Sequence, residues 1–151
     1  NNTCHSLILT AAILGADIVV CTPAGYEPAA DVVSAANDKA KHSGAEIRVM
    51  NDVREAVEDA DAIYTDVWAS MGQEDEIEER AATFSDYRVD EALMARAKPS
   101  ALFMHCLPAH RGAEVTPGVL DGPQSIVFDI AENRLHVQKA LLALLMGNNR
   151  N

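Results

Sequence analysis

Four short runs rich in apolar and β-branched residues, 17–22, 46–50, 62–65 and 101–104, recur along the chain with helix-patterned stretches between them. That alternation leaves few folds open. Runs this short and apolar on both faces suit parallel strands covered on both sides, and the stretches between them are long enough for crossover helices. The expected class is α/β, a doubly wound parallel sheet flanked by helices, Rossmann-like in layout. Residues 125–128, Ser-Ile-Val-Phe, read as a further strand.

Leu7, Ile8, Ala11, Ala12 and Leu14 recur at helical spacing, with Asn2 or Thr3 as N-cap and Gly15 as the stop. The chain thus opens on a helix where such folds place a central strand, so the sheet reads as lacking its first central strand. Pro28 starts a second helix, with Asp31 in its first turn and Lys41, His42 and Gly44 at its end. Asp52 with Glu55 resembles a capping box. Residues 66–87 read as a long irregular stretch containing an acidic run, and loops of that length in compact domains are commonly functional. Residues 89–97 read as a helix stopped by Pro99, and the last helix is expected over 131–146. Its end, 140–146, is apolar on every face and wants burial on all sides. Both that helix and the helical opening point to a piece of something larger or an element of an oligomer.

Length suits one domain of 151 residues, and 48% apolar with only 5% aromatic content suits close packing of Ala and Val. Twelve basic against 23 acidic residues give a formal charge of -11. Such a surface repels nucleic acid and anionic membrane and steers cations inward. An anionic substrate would need local basic groups or a partner domain. The three cysteines, Cys4, Cys21 and Cys106, have no framework or metal-like spacing, which favours a reducing compartment, the cytoplasm. No apolar run approaches the ~20 residues of a membrane span, and residues 1–3 do not begin a signal peptide.

Chemistry concentrates where strands end. In open α/β sheets ligands bind at the carboxyl edge, and residues 105–112, His-Cys-Leu-Pro-Ala-His-Arg-Gly, follow the run 101–104 at such an edge. With His105, His110 and Arg111 nearby, the Cys106 thiol is a candidate for a lowered pKa and a role as base or nucleophile. Its plainer reading is a packed, inert cysteine. The spacing of Cys106, His105 and His110 lacks the separated pairs of zinc sites. Asp66 ends the run 62–65 at the same edge, either as a carboxylate for an amine or as a turn residue. Ser70, Met71 and Gly72 offer a hydroxyl and backbone N–H groups, or simply a polar turn. Arg134 falls in the first turn of the expected last helix, where the dipole disfavours a cation; the alternatives are a functional role or an ion pair with Glu132 or Asp129. Asn2 reads as a cap and His5 as a packed surface histidine.

Four stretches carry a resemblance when taken together: Asn1-Asn2 followed by His5-Ser6, residues 66–74, residues 105–112, and Phe128 with Ala131-Glu132-Asn133-Arg134. In order and spacing they resemble the transcarbamylases and, within them, the ornithine carbamoyltransferases. Aspartate transcarbamylases share the fold but have Pro where this chain has Cys106. The resemblance implies that residues 1–151 are the ornithine-binding domain, with the carbamoyl-phosphate-binding domain outside this chain. It implies carbamoyl transfer from carbamoyl phosphate to the side-chain amine of L-ornithine, giving L-citrulline and phosphate, a step of arginine biosynthesis. In that assignment Asp66 and Ser70 hold the α-ammonium, and Asn2 and the Met71 N–H hold the α-carboxylate. Cys106 is proton acceptor, the backbone of Cys106 and Leu107 contacts the carbamoyl group, and Arg134 polarises its carbonyl. No metal or organic cofactor is implied. The full-length family members form trimers or multiples of trimers.

A Ser-Thr-Arg-Thr-Arg-type phosphate loop and a His-Pro motif, which full-length members carry, do not occur here, so the chain alone is expected to be inactive. Three other readings stand beside this one. They are a transcarbamylase for acetylornithine or putrescine, a nucleotide-binding module, for which no G-x-G-x-x-G is present, and a non-catalytic amino-acid-binding domain.

Overall fold

Helix stops and strand runs set the element order in the computed structural model, which describes residues 1–69, 72 and 74–147, with Glu74 described by its backbone alone. Helix α1 (Asn2–Leu14) ends at Gly15, whose φ of 78° closes the helix with an N–H to Ala11 O. Its cap is Asn1 and not Asn2 or Thr3: the Asn1 side chain accepts the Cys4 N–H at 2.8 Å. Strand β1 (Ile18–Cys21) leads to α2 (Ala30–Ser43), which starts two residues after Pro28 and ends on Gly44, also left-handed. Strand β2 (Ile47–Met50) pairs in parallel with β1, Ile18 opposite Ile47 and Cys21 opposite Met50. The Asp52 side chain caps the short α3 (Val53–Ala56) through the N–H groups of Arg54 and Glu55.

Strand β3 (Ala62–Thr65) and strand β4 (Leu102–His105) form a second parallel pair, Ala62 opposite Leu102 and Thr65 opposite His105. The parallel strands and flanking helices are those of the expected α/β class, as two two-stranded sheets. Each has its own core. Under β1 and β2, Ile8 and Ala12 of α1 meet Val20 and the small residues Ala36 and Ala40 of α2. Around β4, Phe103 is enclosed by Ile63, Leu93, Met94, Val115, Val119, Leu120 and Val127.

Three expectations give way. Residues 66–87 are not wholly irregular: helix α4 (Ile77–Phe84) lies within them, flanked by single 3₁₀ turns. The helix expected over 89–97 shrinks to α5 (Glu91–Met94), because Val89 is drawn into a parallel bridge with Val115 and Asp90 becomes the cap. After α6 (Pro117–Leu120), the strand expected at 125–128 is a single bridge from Ser125 to Phe103. Helix α7 (Val127–Met146) begins at once, burying Val127 in the core. Tertiary packing overrides the strand propensity of Ile126 and Val127. No helix of the described residues is long and apolar enough to cross a membrane.

Candidate functional site

Pairing of Thr65 with His105 sets the two residues that follow, Asp66 and Cys106, side by side at the carboxyl edge. The Cys106 thiol donates to Asp66 Oδ1 at 3.0 Å. Asp66 is further held by the Val67 N–H at 2.8 Å and by Asn1 Nδ2 at 3.3 Å. Strand periodicity puts residues 64, 66, 104 and 106 on one face, so the Tyr64 hydroxyl also reaches the Cys106 thiol.

The same periodicity separates what the sequence places together. His105 turns to the opposite face, fully buried, where Nε2 lies 3.3 Å from Glu114 Oε1. That distance suits an ion pair, while the angle falls short of a well-formed hydrogen bond. His110 also stands beside Glu114, and Arg111 makes a two-pronged pair with Asp121 at 2.9 and 2.7 Å. No imidazolium or guanidinium of the motif therefore faces the thiol. Burial and the Asp66 carboxylate push Cys106 up to about 11, against the lowered value its neighbours suggest in sequence. Tyr64 is likewise raised, first by burial and then by Cys106 and Asp66, with the charge of Arg134 pulling the other way.

Arg134 is the eighth residue of α7 and not in its first turn, so the dipole no longer bears on it. It is exposed and makes no ion pair with Asp129 or Glu132, whose partner is His136 at 3.3 Å. Among the described residues it has no ion-pair partner, and its field reaches Tyr64. Leu107 has a left-handed backbone, φ 57°, and its N–H donates to His105 Nδ1 at 2.8 Å. Asn2 is exposed in the first turn of α1. Ser70 and Met71 lie outside the described residues. His5 is packed as expected, its Nε2 accepting the Ala29 N–H at 3.2 Å.

The segment after Asp66 is held by residues the sequence reading does not name. Arg80 donates to Trp68 O at 3.2 Å, pairs with Glu76 at 2.7 Å and covers the Tyr26 ring at 5.3 Å. Phe84 stacks on Trp68 and meets Tyr26 and Tyr87 edge-on. The Tyr87 hydroxyl donates to Asn51 O at 2.6 Å, 3.1 Å from Thr22 O, and so joins α4 to the ends of β1 and β2. Tyr64 enters the sequence reading only as part of the run 62–65, Asn1 only as part of the resemblance, and Glu114 not at all. Tyr64 had a readable signal, two positions before Asp66 on a strand; Glu114, eight residues after Cys106, had none.

A family model described as "Aspartate/ornithine carbamoyltransferase, Asp/Orn binding domain" matches residues 1–145. The chain belongs to the aspartate/ornithine carbamoyltransferase family. An ornithine carbamoyltransferase of Pyrococcus horikoshii is 56% identical over 147 residues, 97% of this chain and 46% of that protein. Among solved structures, the ornithine carbamoyltransferase from Pyrococcus furiosus superposes with a TM-score of 0.91 at 55% identity, covering 97% of this chain and 47% of that one. An acetylornithine transcarbamylase complexed with acetylcitrulline is more distant, at 32% identity and a TM-score of 0.83 over 96% of this chain and 44% of that one. The chain spans about half the length of the curated relatives it matches. Within the family, then, it corresponds to the Asp/Orn-binding domain, and the carboxyl edge with Asp66 and Cys106 is where its candidate site lies.

Proposed function

We propose that residues 1–151 form the ornithine-binding domain of an enzyme that carbamoylates L-ornithine at its side-chain amine, using carbamoyl phosphate and releasing L-citrulline and phosphate. The observation that carries this reading is the contact of Cys106 with Asp66 at the strand edge, 3.0 Å, in a chain 56% identical to an ornithine carbamoyltransferase. A carboxylate beside a thiol and a phenol attracts a cation and repels an anion. In this reading Asp66 and Ser70 hold the α-ammonium of ornithine, and Asn2 and the Met71 N–H hold its α-carboxylate. The amine nitrogen attacks the carbamoyl carbon, the bond from that carbon to the phosphate oxygen breaks, and phosphate leaves with the electron pair.

The amine must shed a proton, and an amine near its ordinary pKa of ~10 is mostly ammonium at neutral pH. Cys106 is the acceptor. Burial and the Asp66 carboxylate raise its pKa, and an ammonium seated against Asp66 offsets the carboxylate and favours the thiolate. The Cys106 and Leu107 backbone contacts the carbamoyl group, and the Arg134 guanidinium polarises its carbonyl oxygen as charge develops there.

Carbamoyl phosphate is anionic and the chain carries a charge of -11, so the phosphate is held by a second, carbamoyl-phosphate-binding domain. The full enzyme assembles as trimers or multiples of trimers, and three free thiols fit a cytoplasmic setting. The test is citrulline formation by this chain joined to a carbamoyl-phosphate-binding domain, with ornithine, acetylornithine and putrescine as competing acceptors. Ornithine is expected to win; preference for another amine moves the assignment to that acceptor, and turnover of none overturns it.

A further inference from the structure

Among the described residues, His105 and Glu114 are the buried polar side chains, 0% and 1% exposed. Burying a carboxylate is costly unless hydrogen bonds and nearby positive charge offset the loss of water. Glu114 has both. Oε1 accepts the His110 N–H at 2.6 Å and lies 3.3 Å from His105 Nε2, while Oε2 lies 3.7 Å from His110 Nδ1. Burial works to raise its pKa, but His105, the His110 N–H and its own backbone outweigh that, and the carboxyl is held below its ordinary value.

The other ring nitrogen has a different task. His105 Nδ1 accepts the Leu107 N–H at 2.8 Å. A neutral imidazole that accepts at Nδ1 carries its proton on Nε2, and that N–H faces Glu114. The contact is 3.3 Å at an angle short of a well-formed hydrogen bond, so it is through its negative charge that the carboxylate favours the tautomer Leu107 needs.

Leu107 needs support because its φ of 57° is left-handed, a conformation that costs a bulky residue about 1–2 kcal/mol. Such strain persists only where the surroundings over-determine it. Cys106 sits between the ring that accepts and the strained residue that donates, so the turn sets where its thiol points.

We propose that Glu114 is a positioning residue: through His105 it holds the left-handed turn at Leu107 and so keeps the Cys106 thiol against Asp66. Its functional meaning rests on the reading of Cys106 and Asp66 as an ornithine site. The geometric claim does not, and the two are tested separately.

The first measurement is alkylation of Cys106 in this chain, followed by peptide mass spectrometry from neutral pH to about 11, in the parent, Glu114→Ala and Glu114→Gln. Without Glu114 the turn relaxes, the thiol leaves Asp66 and its pKa falls back towards the ordinary value. Thiolate abundance rises while intrinsic nucleophilicity falls, for a net gain of about tenfold in rate near neutral pH. Cys4 and Cys21, far from the turn in sequence, are expected to keep their rates. Glu114→Gln, which retains an accepting carbonyl oxygen, is expected to return most of the parent profile. An unchanged Cys106 profile in Glu114→Ala, or an equal rise at all three cysteines, overturns the proposal.

If Glu114→Ala does not fold, ring-nitrogen NMR of the parent decides. His105 is expected as the Nε2–H tautomer, and an Nδ1–H tautomer overturns the proposal. Ornithine titration followed by Trp68 fluorescence is run beside these. A Cys106 shift without any ornithine response in the parent counts against the ornithine reading and for the positioning role.

Discussion

At the scale of single residues, alternation along two strands decides more than the motif around them. Asp66 and Cys106 are legible in the sequence because each follows a short apolar run, and parallel pairing makes the two strand ends neighbours. The surroundings of the thiol are not legible by proximity along the chain. His105 is adjacent to Cys106 in sequence yet faces the other side of the sheet, and Arg111 is satisfied by Asp121. What meets the thiol is a carboxylate and a phenol; burial and the carboxylate raise its pKa, while the hydrogen bond with the phenol pulls the other way. Asp66→Asn removes that charge and with it the partner for an ammonium. The expected loss is about tenfold to a hundredfold in ornithine affinity, from the ~1.5–3 kcal/mol of a charged hydrogen bond, read by Trp68 fluorescence; unchanged affinity would remove Asp66 from the site. Cys106 and Cys21, both raised to about 11 from 9.0, also set a pH dependence. A folded-state pKa above the unfolded one gives stability that is full below the unfolded value and lost as pH rises through the folded value. Melting temperature should therefore fall between about 9 and 11, and fall less steeply in the Cys21→Ser, Cys106→Ser double variant. Equal slopes would show that neither thiol is shifted.

Among the elements, those closed by local chemistry were readable and those set by packing were not. Gly15 and Gly44 stop α1 and α2 where a left-handed residue is required, and Asp52 caps α3 through its own side chain. Helix α4 has no such signal: no side chain caps its first turn, and its charged, exposed sequence resembles a loop. What holds it is tertiary, the contacts of Phe84 with Trp68 and Tyr26 and of Arg80 with the Trp68 carbonyl. The start of α7 is likewise tertiary, since Val127 enters the core as soon as Ser125 has bridged Phe103. Gly15 is the cap most open to test. Besides its φ of 78°, a Cβ there would stand 3.1 Å from Ser43 O, where α1 meets the end of α2. Gly15→Ala should cost about 1–2 kcal/mol in urea unfolding from the backbone conformation alone, with the close contact adding to it. A change of a few tenths would mean that the helix end rearranges freely.

Over the whole molecule, the two small sheets and their cores account for most of the buried residues, and α7 stands apart. From Glu132 onward its described residues are exposed on every face, including Leu141 at 51%, Leu142 at 57%, Leu144 at 79%, Leu145 at 82% and Met146 at 77%. The sequence predicts that this end wants burial, and among the described residues nothing covers it. Apolar surface of this kind drives association at about 25 cal/mol per Å² removed from water. In solution the chain should therefore self-associate with rising concentration and bind an apolar-surface dye, and Leu144→Glu with Leu145→Glu should abolish both without moving the melting temperature. A carbamoyl-phosphate-binding domain added in trans is expected to compete with the dye, because the helix then packs on that domain. Sedimentation that shows a strict monomer at every concentration, with no dye bound, would sink the idea, and would mean that α7 folds back on a surface of its own chain.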